Sequence, residues 1–305
     1  MSNRAIAIFG PTGIGKTSLS LKLAQSIGEI ISVDSMQIYK YMDIGTAKVS
    51  KKDIQSIPHH LVDIITPDKQ FSAGDFKRYC ESMIPQIIER GKVPFLVGGT
   101  GFYYSTLING IVNIPQVDDS IREKISILHE RKGQEYLYRM LSIVDSEIIE
   151  RIHENDPQRT CRALEVFFGT GRKLSDYYKE ERVSSSTRYL KIGLNTDRAV
   201  LYERINKRVE IMFESGLIEE VKMLLSMGYT RNDPGMRAIG YKEVLDHFEG
   251  LLTFEAMIAE VKKNSRRYAK RQLTWFRSID DVIWFDLNDE DGVIELVNSF
   301  LKGEK

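Results

Sequence analysis

Cysteine is almost missing from this chain: Cys80 and Cys161 are the only two, far apart and without metal-ligand spacing. That excludes a disulfide-stapled scaffold and a cysteine-built metal site, and two reduced thiols fit a cytoplasmic protein. Net charge is missing too. Lys+Arg and Asp+Glu both count 43, so bulk charge announces no nucleic-acid partner and any basic surface must be local. No apolar run approaches the length of a membrane span, and with the first strand beginning so near Met1 no signal peptide is expected. Repeats and low-complexity segments are absent, and no repeating apolar pattern demands an oligomer, so a monomer is expected. What is left is an ordinary globular composition, 42% hydrophobic and 28% charged in 305 residues. It is expected in the cytoplasm, without a membrane partner, and divided into about two domains.

What the chain does have is concentrated first at its start. Ala5 to Phe9 is a short apolar run of strand character, and Gly10-Pro11-Thr12-Gly13-Ile14-Gly15-Lys16-Thr17 follows it. Ser18 to Ala24 then reads as helix, apolar at Leu19 and Leu23. This is G-x-x-x-x-G-K-[ST] in its strand–loop–helix setting. Its glycines let backbone N–H groups converge on an anion at a helix N-terminus. Lys16 would bring a point charge to phosphoryl oxygens, and the Thr17 hydroxyl could help to hold Mg²⁺. The loop predicts a bound polyphosphate or diphosphate, as in ATP-binding proteins, without saying what is done with it.

Two further strands deliver chemistry to the same rim. Glu29 to Val33 ends at Asp34-Ser35-Met36-Gln37, and an open α/β sheet collects its ligands outside the carboxyl ends of its strands. Asp34 can there be a metal or water ligand, a general base or a helix cap. Val93 to Val97 delivers Gly98-Gly99-Thr100-Gly101, where many NTPases place an aspartate for the metal. The glycines permit close backbone approach, so Thr100 could touch a ligand; a plain tight turn has the same sequence. His59 to Ile65 predicts another strand. Its paired histidines face opposite ways with no third ligand nearby and are expected to be structural. A helix is expected from Ser72 to about Arg90, with a kink at Pro85.

From Asp118 to about Glu181 strand character vanishes and helical spacing takes over, as at Ile121, Ile125 and Leu128. Asn155-Asp156-Pro157 is a helix start, and Gln158, Arg159 and Arg162 cluster just inside it, suited to phosphate or base contact or to a solvated polar face. The helix is expected to end at Gly169-Thr170-Gly171. Strand returns at Arg188 to Leu194, followed by a helix on which Arg204 and Arg208 share a face. Such a pair can clamp phosphoryl oxygens or join surface ion pairs. The last third reads as helices over Gly216 to Met227, Met236 to Phe248 and Phe254 to about Ser278, then a strand at Val282 to Phe285. Between Lys262 and Arg277 seven basic residues and no acidic one interleave with Tyr268, Trp275 and Phe276. That is the local basic surface expected of a phosphate-backbone contact.

These segments together resemble the bacterial tRNA dimethylallyltransferases (tRNA isopentenyltransferases). The likeness lies in the phosphate loop, Asp34-Ser35-Met36-Gln37-Ile38-Tyr39, Gly98-Gly99-Thr100-Gly101 and Asn155-Asp156-Pro157-Gln158-Arg159. It continues in Met236-Arg237-Ala238-Ile239-Gly240-Tyr241-Lys242-Glu243 and Tyr268-Ala269-Lys270-Arg271-Gln272-Leu273-Thr274-Trp275-Phe276. The resemblance implies an α/β fold: a P-loop NTPase-like parallel-sheet core over 1–117 and 190–305, an all-helical insertion over 118–189 that contacts tRNA, and a helical C-terminal part. It implies transfer of a dimethylallyl group from dimethylallyl diphosphate to the exocyclic amine of the adenosine 3′ to the anticodon. Asp34 would be the base and Thr100 its partner at the reacting centre. Gly10, Pro11, Thr12, Gly13, Ile14, Gly15, Lys16, Thr17 and Arg208 would hold the diphosphate, with Mg²⁺ at Thr17. Asp34, Ser35, Met36, Gln37, Thr100, Arg122, Gln158, Arg159, Thr160, Cys161, Arg162, Lys270 and Arg271 would meet the tRNA anticodon stem-loop. Three alternatives share parts of this pattern: a P-loop small-molecule or nucleoside kinase, a non-enzymatic RNA-binding module, and a prenyltransferase acting on a free adenylate.

Overall fold

The computed structural model describes residues 3–180 and 187–303. The chain divides into two compact units, Met1–Ile108 with Ser185–Lys305, and Asn109–Ser184. The second unit starts earlier than the expected 118, because Ile114 and Val117 already pack into its core.

The first unit is built on six parallel strands: β1 (Arg4–Phe9), β2 (Gly28–Val33), β3 (His59–His60), β4 (Val93–Gly98), β5 (Arg188–Asn195) and β6 (Ile283–Asp286). Their order is β3-β2-β4-β1-β5-β6, with Ile6 level with Phe95 on one side and Leu190 on the other. β1 is apolar from Ala5 to Phe9 because both faces are covered there. Ala5, Ala7 and Phe9 enter one core cluster, Ile6 and Ile8 the other.

Along the chain the helices are α1 (Lys16–Ala24), α2 (Lys51–Ser56), α3 (Ala73–Glu89), α4 (Gly101–Ile108), α5 (Asp119–Val144), α6 (Pro157–Thr170), α7 (Leu174–Tyr178), α8 (Arg198–Glu214), α9 (Leu217–Ser226), α10 (Tyr241–Phe248), α11 (Phe254–Phe276) and α12 (Glu290–Lys302). Apolar faces of α3, α4, α9 and α10 pack with Phe9 and Leu96. Those of α1, α8 and α12 pack with Ile6 and Val97 on the opposite face. Of the second unit's helices, α5 and α6 bury Leu137, Leu141, Ala163 and Leu164 against one another.

Several expectations change in detail. The strand expected over His59 to Ile65 shrinks to β3, because Leu61 and Asp63 turn the backbone to φ 62° and 56°; Ile65 keeps one isolated bridge, to Tyr39. α3 runs on through Pro85, started by a reciprocal cap between Ser72 and Asp75. The helix expected from Met236 begins only at Tyr241, after a 3₁₀ turn at Gly235–Arg237 and Gly240 at φ 99°. α6 ends within the expected Gly169-Thr170-Gly171 run, at Gly171, whose φ of 71° closes the helix in left-handed geometry.

Candidate active site

Three loops leave the carboxyl ends of the adjacent strands β2, β4 and β1, and the site lies among them. The loop after β1 turns at Gly13 and Gly15, whose φ angles of 82° and 104° few other residues accept. It feeds directly into α1, whose first amides have no helical carbonyl to bond and face the loop's concavity. Lys16 folds back over the loop, its Nζ donating to the carbonyls of Gly10 and Pro11 at 2.9 Å each. Burial first, and then the neighbouring Arg208, pull the Lys16 ammonium down to about 7, against the favourable field of Asp34. Arg208 approaches from α8. Its Nη1 donates to the Thr12 hydroxyl at 3.0 Å and Nη2 reaches the Thr46 carbonyl at 3.5 Å, while Nε finds no partner. Burial works against its charge and Asp34 supports it. Arg204, its neighbour on the helix, donates to the Gly13 carbonyl at 2.9 Å. Two guanidinium groups and one ammonium are therefore gathered at a loop shaped for an anion.

The other two loops are tied to each other. Asp34 Oδ1 accepts the amides of Met36 at 2.8 Å and Gln37 at 3.3 Å, which fixes the carboxylate and leaves its second oxygen free to act. The amides of Gly99 and Thr100 both donate to the Val33 carbonyl, and the Ser35 amide donates to Thr100 Oγ1 at 3.1 Å. Asp34 and Thr100 thus sit on one hydrogen-bonded junction. Gln37 lines the same cleft, its amide nitrogen reaching the carbonyls of Thr46 and Ala47 at 3.5 and 3.4 Å. The cleft holds about 650 Å³ of empty space, open to solvent.

Three more residues line this cleft. Gln272, on α11, accepts the Thr12 amide at 2.9 Å and donates to the Gly99 carbonyl at 2.8 Å, bridging the phosphate loop to the glycine turn. A Cβ at Gly99 would lie 2.2 Å from that amide nitrogen, so the turn needs glycine there. Tyr268, one turn earlier, is pushed up to about 12 by burial and next by Asp34. Both lie in the cation-rich stretch of α11, where Gln272 is a polar side chain on the buried stripe of Ala269 and Phe276. The third is His59, which was expected to be structural along with His60 and lies in the lining of the cleft. His60 is structural, held at 2.7 Å by Glu29, which Arg90 also pairs. His59 faces the cleft, with Nδ1 on the Ile57 carbonyl at 2.7 Å and burial lowering its basicity.

Thr17 is exposed at the cleft, and among the described residues its hydroxyl makes no hydrogen bond. No group of three or more His, Cys, Asp or Glu side chains able to hold a metal occurs among the described residues. The donor set therefore fits a metal carried mainly by phosphate oxygens and water, with Thr17 as a ligand from the chain.

In the second unit Gln158 and Arg159 are exposed at the start of α6, where Asp156 caps the helix and pairs with Arg159 at 3.5 Å. Arg162 pairs with Glu165 at 3.4 Å and Arg122 with Asp119 at 3.0 Å. Thr160 is a correction to the expected set. It is 0% exposed, its hydroxyl donating to the Asp156 carbonyl at 2.7 Å and accepting from Gln134 at 3.0 Å, so it presents nothing to a partner. Cys161 is half-buried against the same core, and Met36 packs partly on the first unit's core. On α11, Lys262 pairs with Glu210 and Lys263 with Glu260. Among the described residues Lys270 and Arg271 have no ion pair, and the Arg271 guanidinium lies 5.8 Å from the Tyr268 ring.

Residues 37–279 match the family model described as IPP transferase. The chain is 43% identical over 311 residues to a tRNA dimethylallyltransferase of Thermoanaerobacter sp. (strain X514), spanning 99% of this chain and 98% of that one. Among solved structures, the full-length tRNA isopentenylpyrophosphate transferase of Bacillus halodurans is 42% identical with a TM-score of 0.72, covering 99% of this chain and 96% of that one. A eukaryotic dimethylallyltransferase acting on tRNA has a TM-score of 0.86 at 30% identity, covering 99% and 80%.

Proposed function

The chain belongs to the IPP transferase family and is a tRNA dimethylallyltransferase; from that premise we propose how its own residues carry the transfer. The observation that supports the reading most is the junction of Asp34 and Thr100 beside a cation-lined phosphate loop. The substrate amine is the exocyclic N6 of the adenosine 3′ to the anticodon. It is a poor nucleophile until a base takes its proton. Its lone pair forms the bond to C1 of the dimethylallyl group as the C1–O bond breaks, and that electron pair leaves with the diphosphate. The N6 proton passes to the free oxygen of Asp34, and the Thr100 hydroxyl holds the amine in line.

Charge accumulates on the departing diphosphate, where Lys16, Arg208 and the first amides of α1 stabilise it. Bound Mg²⁺, held by Thr17 and the diphosphate oxygens, would neutralise part of that charge. This role for the loop needs no nucleotide hydrolysis, and no aspartate stands at the end of β4, where Gly98, Gly99 and Thr100 do. An adenosine reaches such a cleft only when it is turned out of its stack, which an unpaired anticodon loop permits at low cost. Ser35, Met36 and Gln37 face that base. Gln158, Arg159 and Arg162 of the second unit, with Arg122, Lys270 and Arg271, hold the stem-loop mainly by its phosphates. We place the enzyme in the cytoplasm as a monomer.

The test is transfer of labelled dimethylallyl from its diphosphate to unmodified tRNA, comparing wild type with Asp34→Asn at matched tRNA binding. A loss of about 10²- to 10⁴-fold in rate is expected for removal of a general base. Full activity in the variant would remove Asp34 from the mechanism.

A further inference from the structure

Beside the cleft, two large aromatic side chains stand open to water. Phe102 is 53% exposed and Trp275 38%, with ring centroids 6.3 Å apart and planes at 85°. Phe102 lies two residues beyond Thr100, in the first turn of α4. Trp275 lies on α11 three and four residues beyond Gln272 and Arg271, on the same helical face. The face that reaches Gly99 through Gln272 thus continues outward to the indole. Gly101 lets the two elements meet: a Cβ there would lie 2.2 to 2.7 Å from the indole ring atoms, so the indole rests on the backbone next to Thr100. No acidic side chain occurs from 261 to 279, and Lys270 and Arg271 precede Trp275 by five and four residues on α11.

Exposed aromatic rings at a cationic rim have the chemistry of a single-stranded nucleic-acid platform, with charge for the backbone and a π-face for a base. We propose that Phe102 and Trp275 stack an unpaired base of the anticodon loop immediately beside the adenosine that enters the cleft. Turning that adenosine out strips one stacking face from each flanking base, and the aromatic pair replaces one of them. The inference rests on the tRNA dimethylallyltransferase reading above. It adds a contact that tolerates any base and does not depend on salt, unlike the phosphate contacts of Lys270 and Arg271.

The test crosses protein with RNA. Anticodon stem-loops, intact or with an abasic nucleotide 5′ or 3′ of the target adenosine, are bound to wild type, Phe102→Leu, Phe102→Tyr and Trp275→Leu. Phe102→Leu is expected to weaken binding of the intact stem-loop by about 5- to 150-fold, the span of one base–aromatic stack. At one of the two flanking positions the abasic RNA should lose a similar factor with wild type and nothing further with Phe102→Leu. Phe102→Tyr should restore binding, and the slope of log affinity against log salt should stay that of wild type. Wild-type affinity in both leucine variants would overturn the platform. So would losses that simply multiply at both abasic positions, the pattern of a general structural defect or of a patch meant for another partner. If wild type labels tRNA fully while this coupling is missing, the platform alone falls; if wild type labels no tRNA, the functional reading falls with it.

Discussion

The cleft of the first unit and the start of α6 in the second both carry cations, and they carry them in opposite ways. In the cleft, Lys16 and Arg208 are half-buried and fixed on carbonyls and a hydroxyl, at distances of 2.9 to 3.5 Å. Burial lowers the basicity of both. At α6, Arg159 and Arg162 keep much of their exposure and are paired with acids three residues away. A fixed, desolvated cation suits a small anion of high charge density, because the interaction is unscreened and no side-chain order has to be bought. An exposed, intramolecularly paired arginine suits an extended polyanion. The polyanion can take over the contact and release counterions, and the free surface stays neutral meanwhile. That division explains how a chain of zero formal net charge can act on RNA.

The largest effect that could break the comparison is in the cleft. Arg208→Gln should lower kcat/KM by about 10²- to 10³-fold, as does removal of one preorganised donor to transition-state charge, with tRNA affinity unchanged in a binding assay. A fall in tRNA affinity instead would put Arg208 among the RNA-binding cations. Next in size is a pH effect. In the free protein Lys16 titrates near 7, so at higher pH the diphosphate must bind with uptake of a proton. Affinity for the donor should weaken as pH rises above 7, and calorimetry in buffers of different ionisation heat should detect that proton. The same shift has a stability sign. Its cost is present in full below pH 7 and is relieved between 7 and the ordinary lysine value of 10.5, where the unfolded chain binds more protons. The smallest effect is expected at Arg122, whose partner Asp119 is 89% exposed. Arg122→Ala should change stability by less than about 1 kcal/mol in thermal melts and tRNA binding only a few-fold.

What the sequence disclosed also differs between these regions. The phosphate loop was readable because its backbone needs glycine at set positions, and that need is written as spacing. Strand ends on a shared rim, a rule of parallel sheets, put Asp34 and Thr100 near the loop, while their roles came only from the family resemblance. Gln272 and Tyr268 escaped because cations dominate the composition of α11, while these two work through contacts 260 and 173 residues away in the chain for Gln272. Strand alternation correctly split His59 from His60. Which of them faced the cleft depended on sheet order, with β3 at the edge beside β2. Thr160 entered the expected set only as part of the segment the family resemblance implies, whereas its side chain shares the buried stripe of Ala163 and Leu164. The interruption at Ala238 to Gly240 was hidden by the apolar spacing on either side.

The division between buried and exposed cations is tested most directly by salt. Donor KM and tRNA affinity would be measured for wild type and Arg159→Ala from low to high salt. The account predicts tRNA affinity falling steeply with salt, a slope smaller by about one in the variant, and a donor KM that barely moves in either protein. Equal salt sensitivity of donor and tRNA, or an unchanged slope in Arg159→Ala, would contradict it.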